Sequence, residues 1–141
     1  YPRYFVEISK RLTSHFSNIN NLRDAVRYNH TEEGIFLKKV NALINSHLSD
    51  PEFKVDALAS SMAISRIHLF RKLKAITGLS PQAYIRVVRL EEAKRLLQSK
   101  KEDLNVSEVC YRVGFSSKSH FTRSFQKAFG LRPSELNKVS M

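Results

Sequence analysis

The sequence predicts an all-α protein of about seven helices, with two pairs of short helices joined by one long helix. Three observations predict it. Apolar residues recur at three- and four-residue steps in segment after segment, and no segment reads convincingly as a strand. Only four glycines interrupt 141 residues, of which 42% are hydrophobic, which suits a packed helical domain better than a disordered basic tail. The third observation is an internal repeat.

Ser65-Arg66-Ile67-His68-Leu69-Phe70-Arg71-Lys72-Leu73 matches Ser117-Lys118-Ser119-His120-Phe121-Thr122-Arg123-Ser124-Phe125 at a constant offset of 52. The match continues through Gly78/Gly130, Leu79/Leu131 and Pro81/Pro133. Upstream it resumes at an offset of 51, with Val55/Val106, Leu58/Val109, Ala59/Cys110, Met62/Val113 and Ile64/Phe115. The second copy thus carries one extra residue in its turn, at Gly114-Phe115-Ser116.

An opening helix over about residues 33–48 follows from Phe36, Val40, Leu43, Ile44 and Leu48 at helical spacing. In the first repeat, Val55, Leu58, Ala59 and Met62 share one helix face, and Ala63-Ile64 turn the chain. Ser65 then caps a second helix through its hydroxyl, and Gly78 suits the left-handed stop. Ser80 caps the long helix with Pro81 as its first residue, where the missing N–H costs nothing. That helix runs to about Gln98 through Tyr84, Val87, Leu90, Ala93, Leu96 and Leu97. In the second repeat, Asn105 and Glu108 have capping-box spacing, Gly114 frees the turn, and Ser116 or Ser117 caps the next helix. Pro133 starts a short last helix through Leu136. The small residue inside each first helix, Ala59 or Cys110, allows the close approach that a helix-turn-helix needs.

Charge points to a polyanion. Lys and Arg number 24 against 13 Asp and Glu, a formal net charge of +11. Residues 1–34 hold five basic and four acidic residues, which leaves 19 and nine in residues 35–141. The basic excess therefore lies almost wholly in the repeat-bearing part. Residues 1–34 carry the polar, punctuated stretches Asn18-Ile19-Asn20-Asn21 and Asn29-His30-Thr31-Glu32-Glu33-Gly34. One amphipathic helix is expected there between Tyr4 and Phe16, and the segment reads as a linker or the tail of a missing upstream domain. The first residue, Tyr1, fits a piece of a longer chain.

Several classes are excluded. No apolar run approaches the roughly 20 residues of a membrane span, and signal-peptide architecture is absent. The single cysteine, Cys110, rules out an internal disulfide framework and a multi-cysteine zinc site. No Gly-rich phosphate loop, no paired carboxylates beside a His and no nucleophile signature occurs, so no catalytic residue, metal or cofactor is expected. His68 and His120 have no second ligand at i+4; a phosphate contact or simple packing accounts for them better than a metal. Cys110 fits a small buried slot better than a redox role. Lys38, Lys39, Lys94, Arg95, Lys100 and Lys101 are expected to be solvated, some attracting phosphates without reading sequence. Arg86 and Arg89 are expected to pair with Glu91, Glu92 or others.

With Leu69, Leu73, Phe121 and Phe125 turned to the core, the opposite faces carry Arg66, Ile67, Phe70, Arg71 and Lys74, then Lys118, Ser119, Thr122, Arg123 and Gln126. A major groove accepts such faces: Arg can bond guanine N7 and O6 bidentately, Gln can pair with adenine, and an apolar side chain can lie on a thymine methyl. One such face alone could be a solvated helix surface. Two copies with Ser, basic, His and Arg at the same steps argue otherwise.

The motif Val106-Ser107-Glu108-Val109-Cys110-x-x-Val113-Gly114-Phe115-x-x-x-x-x-Phe121-x-Arg123-x-Phe125-x-x-x-Phe129-Gly130-x-x-Pro133 resembles the signature of the AraC/XylS family of bacterial transcription regulators. Cys110 stands where Ala is common, and Leu136 replaces the usual final aromatic. The resemblance covers residues 35–138 and implies an AraC-type DNA-binding domain. It divides into a first helix-turn-helix (55–77), a connecting helix (81–98) and a second helix-turn-helix (106–129). Its recognition helices, 66–77 and 117–129, would enter successive major grooves about 34 Å apart. Base contacts are implied at Arg66, Ile67, Phe70, Arg71, Lys118, Ser119, Thr122 and Arg123, and phosphate contacts at His68, Lys74, His120 and Gln126. It also implies double-stranded promoter DNA and RNA polymerase as partners, an activator's role and a cytoplasmic location, with any dimerisation in the upstream part. Ser49-Asp50-Pro51-Glu52-Phe53-Lys54-Val55 is similar to regulators fused to two-component signalling proteins, which suggests a receiver domain before residues 1–34. Two other readings compete. The same fold serves alkylation-repair methyltransferases, which need zinc-binding and acceptor cysteines; alternatively, a protein-interaction domain could use the charge for solubility alone.

Overall fold

The computed structural model describes residues 31–139, so the helix expected between Tyr4 and Phe16 lies outside the described residues. Among those described, seven helices follow one another: α1 Glu32–Ser46, α2 Val55–Ser61, α3 Arg66–Thr77, α4 Pro81–Gln98, α5 Val106–Arg112, α6 Lys118–Phe129 and α7 Pro133–Val139. The fold is all-α, and none of these helices is long and apolar enough to cross a membrane.

Side-chain caps start the helices where the sequence places them. Ser65 and Ser117 accept from the amides of His68 and His120 at 3.0 and 3.3 Å, and Ser80 from Ala83 at 3.2 Å. Of the two candidates before α6, Ser117 is therefore the cap. Asn105 and Glu108 form a full capping box: the Glu108 amide donates to Asn105 Oδ1 at 2.8 Å and the Asn105 amide to Glu108 Oε1 at 3.2 Å. Each such cap contributes roughly 1 kcal/mol. Thr31, unforeseen in this role, caps α1 by accepting from Gly34 at 3.0 Å. At the other ends, Gly78 and Gly130 close α3 and α6 in the left-handed region, with φ of 79° and 80°.

The turns inside the two repeats share one hydrogen-bond pattern. In the first, Ala63 donates to the Ser60 carbonyl and Ile64 to the Ala59 carbonyl; in the second, Gly114 donates to Tyr111 and Phe115 to Cys110. Both turns place their pivot at positive φ, 58° at Ala63 and 87° at Gly114. These bonds satisfy the last carbonyls of α2 and α5 and swing the chain into α3 and α6.

Two hydrophobic cores result. Phe36, Val40, Ile44, Leu58, Leu69 and Leu73 gather around the first half of α4, at Tyr84, Ile85 and Val87. Val109, Cys110, Val113, Phe121, Phe125 and Leu136 gather around its second half, at Leu90, Ala93, Leu96 and Leu97. Phe121 and Phe125 are fully buried, so truncating either to Ala would cost about 3–5 kcal/mol. Leu136 seats the last helix in this second core without the aromatic usual there. Helix α4 touches all six of the other described helices.

Arg89 lies between the two cores and corrects an expectation. It makes no salt bridge with Glu91 or Glu92; it is buried and donates to four main-chain carbonyls. Glu92 pairs with Arg95 at 2.6 Å instead. The carbonyls that Arg89 meets belong to Leu48, Asp50, Phe53 and Val113, all left without helical partners where α1 and α5 end and the chain approaches α2. Burial pulls the guanidinium below its ordinary pKa, against the opposing charge of Asp50.

Candidate nucleic-acid interface

Helices α3 and α6 each bury one stripe and expose the other. Leu69 and Leu73 in α3, and Phe121, Phe125 and Ala128 in α6, enter the cores. Arg66, Ile67, Phe70, Arg71 and Lys74 stay exposed on α3, and Lys118, Ser119, Arg123 and Gln126 on α6, with Thr122 half-buried. His68 and His120 are exposed as well. All twelve candidate residues therefore reach the surface of one or other of these helices.

The two faces differ in chemistry. Ile67 keeps 65% and Phe70 48% of its surface in water, two large apolar side chains three residues apart on α3. Their repeat partners on α6 are Ser119 and Thr122, both hydroxyl-bearing. The first face thus offers apolar contact flanked by arginines; the second offers cations, hydroxyls and one amide.

Some candidates have partners. Arg66 pairs with Asp56 through Nε at 3.1 Å, with both side chains largely exposed, so the pair is worth about 0–1 kcal/mol and yields readily to a stronger acceptor. The His120 ring meets the Phe115 ring edge-on at 5.4 Å between centroids, so packing orients the imidazole. The amides of His68 and His120 are taken by the serine caps, which leaves amides one and two positions earlier in each helix as the free donors. Lys94 and Arg95 are not simply solvated: Lys94 Nζ sits 5.1 Å from the centre of the Phe129 ring, and the guanidinium of Arg95 donates to the Glu92 carboxylate, whose hydrogen bonds and charge raise the Arg95 pKa.

Between the two units runs a cleft of about 460 Å³ whose lining includes Lys54, Arg66, Arg86 and His120, with Arg89 and Gly114 also facing it. Glu52 and Asp56 line it too, so it is mixed in charge. No group of three or more His, Cys, Asp or Glu able to hold a metal occurs among the described residues. Cys110 is fully buried, its Sγ 3.6 Å from the Phe115 carbonyl, and burial raises the thiol pKa.

Spacing along the sequence points Arg89 towards the neighbouring glutamates and not towards the four carbonyls it meets. A signal was present: on α4 it shares a row with Ile85 and Ala93, at i−4 and i+4, where an apolar residue belongs.

A family model described as a helix-turn-helix domain matches residues 58–138, more than half of the chain. The chain belongs to the AraC/XylS family of helix-turn-helix transcription regulators. The HTH-type transcriptional activator RhaS of Escherichia coli is 36% identical over 95 residues, 67% of this chain and 33% of that protein. Histidine kinase P4 of Formosa agariphila is 32% identical over 130 residues, 92% of this chain and 9% of the kinase. Thus this AraC-type chain spans about a third of one relative and a tenth of the other. Among solved structures, the DNA-binding domain of AdpA in complex with a target DNA is similar, with 30% identity, a TM-score of 0.65 and coverage of 73% of this chain and 90% of that one.

Proposed function

We propose that residues 35–138 bind double-stranded promoter DNA sequence-specifically to regulate transcription, with α3 and α6 entering successive major grooves about one helical turn apart. The observation that carries it is the pair of exposed, Ser-capped recognition faces, repeated at a constant step and differing in side-chain chemistry. Arg66, Ile67, Phe70 and Arg71 read bases in one groove, and Lys118, Ser119, Thr122 and Arg123 in the other. His68, Lys74, His120 and Gln126 meet phosphates, with the free first-turn amides adding to anion attraction. The DNA complex of the similar AdpA domain supports the ligand.

The name of RhaS as an activator supports an activator's role here, with RNA polymerase as the second partner. The similarity to a histidine kinase over 92% of this chain supports residues 1–34 as the connection to an upstream two-component module in the bacterial cytoplasm. Dimerisation, on this reading, belongs to that module. The proposal gives the domain no catalytic step.

A salt titration tests it. Affinity for a selected site should fall linearly in log–log form with a slope of about −0.9 per phosphate neutralised, and a scrambled duplex should bind far more weakly at every salt. A flat salt response, or equal affinity for both duplexes, would overturn the reading and favour an interaction domain whose charge only aids solubility.

A further inference from the structure

Among the helices, α4 alone contributes side chains to both cores, Tyr84, Ile85 and Val87 to the first and Leu90, Ala93, Leu96 and Leu97 to the second, while Leu48, after the end of α1, packs against both. Apolar contact is non-directional, so two units packed on the two halves of one helix could rock about it. A directional tie is present at the boundary. Nη1 of Arg89 donates to the Leu48 carbonyl at 2.6 Å and to the Val113 carbonyl at 2.7 Å, joining the first unit to the second through one nitrogen. Nη2 donates to the Asp50 and Phe53 carbonyls, both at 3.0 Å. Phe53 lies two residues before the start of α2, and Val113 opens the turn that leads to the Ser117 cap of α6. The planar guanidinium therefore fixes the entrances to both helix-turn-helix units at once. An ammonium, with its donors on a single nitrogen, could not hold the same four acceptors in that plane.

We propose that Arg89 is a positioning residue that sets the distance and angle between α3 and α6, and so determines which separation of half-sites the chain accepts. The inference rests on the reading of α3 and α6 as DNA-reading helices. Without the tie, each unit still binds its own half-site, but the two are joined by a looser connection. Loosening a linkage lowers the effective concentration at the best spacing and flattens the dependence on spacing.

The test uses the intact chain with Arg89→Lys and Arg89→Met, each first checked for folding by circular dichroism and thermal melting. Affinity is then measured on duplexes with the two blocks at the preferred separation, with one base pair added or removed, and with either block scrambled. In the wild type, a one-base-pair change should cut affinity by about tenfold; in the variants, by less than about threefold, with single-block affinities within about twofold of wild type. A variant profile as sharp as the wild type's would overturn the proposal. So would an equal loss on all duplexes, single-block ones included. Failure of both variants to fold would also overturn it, because Arg89 would then hold the fold and not the spacing. A wild-type chain that prefers no two-block DNA would instead sink the DNA-binding reading itself.

Discussion

The guanidinium of Arg89 occupies the space that a side chain at position 114 would need. A Cβ built on Gly114 would lie 1.5 Å from Nη1 of Arg89 and 2.3 Å from the Leu48 carbonyl oxygen. The equivalent pivot of the first turn is Ala63, also at positive φ, with its Cβ in place. The backbone conformation therefore does not by itself demand glycine at this step of the repeat. Arg89 and the Leu48 carbonyl do, both crowding the second turn at Gly114.

That contrast predicts opposite outcomes for two substitutions. Gly114→Ala should destabilise the domain by about 3 kcal/mol or more, by combining left-handed strain with displacement of Arg89 from its carbonyls. Ala63→Gly should be neutral or stabilising by up to about 1 kcal/mol, because it relieves left-handed strain at an exposed position. Urea denaturation of both variants checks this, and similar costs at the two positions would contradict it.

Arg71 and Arg123 occupy equivalent steps on exposed faces. Substituting either with Ala should leave the melting temperature nearly unchanged, cost about 1–3 kcal/mol of specific binding, and relax preference at one base pair. Quantitative binding to single-base variants of the site reads this out. If both substitutions weaken all DNA equally, these arginines meet the backbone and not bases.

Ile67 and Phe70 predict an asymmetry between half-sites. Replacing thymine by deoxyuridine removes only the 5-methyl group, and should weaken binding in the half-site read by α3 more than in that read by α6. In Ile67→Ala and Phe70→Ala that thymine preference should shrink by about 1 kcal/mol, on the order of one buried methyl contact. Equal sensitivity of both half-sites would place these side chains elsewhere.

Cys110 should behave as a core residue. With the side chain fully buried and the thiol pKa raised by that burial, little thiolate is present near neutral pH. Alkylation by iodoacetamide should be far slower than for a free thiol peptide and become rapid in denaturant. Rapid labelling of the native chain would contradict the buried placement.

Much of this architecture is legible in the sequence because it is written in local chemistry. The repeat offset, the serine caps, the capping box at Asn105 and Glu108, and Pro81 at the start of α4 each act within one helical turn, so composition and spacing reveal them. The exposed faces of α3 and α6 follow from the same periodicity. The role of Arg89 is not legible in this way, because its four acceptors lie 24 to 41 residues away in sequence and are main-chain atoms, which carry no residue-type signal. Its nearby glutamates offered a more obvious partner, and only the apolar row through Ile85 and Ala93 hinted otherwise. The Asp56 partner of Arg66 was hidden in the same way, since it depends on how α2 meets α3.

The most direct test of the central claim is selection of bound duplexes from a random-sequence pool by the purified chain. Two conserved blocks with centres about 10–10.5 base pairs apart are predicted, one for each recognition helix. A single block, or no enriched sequence, would contradict the claim that both helices read bases.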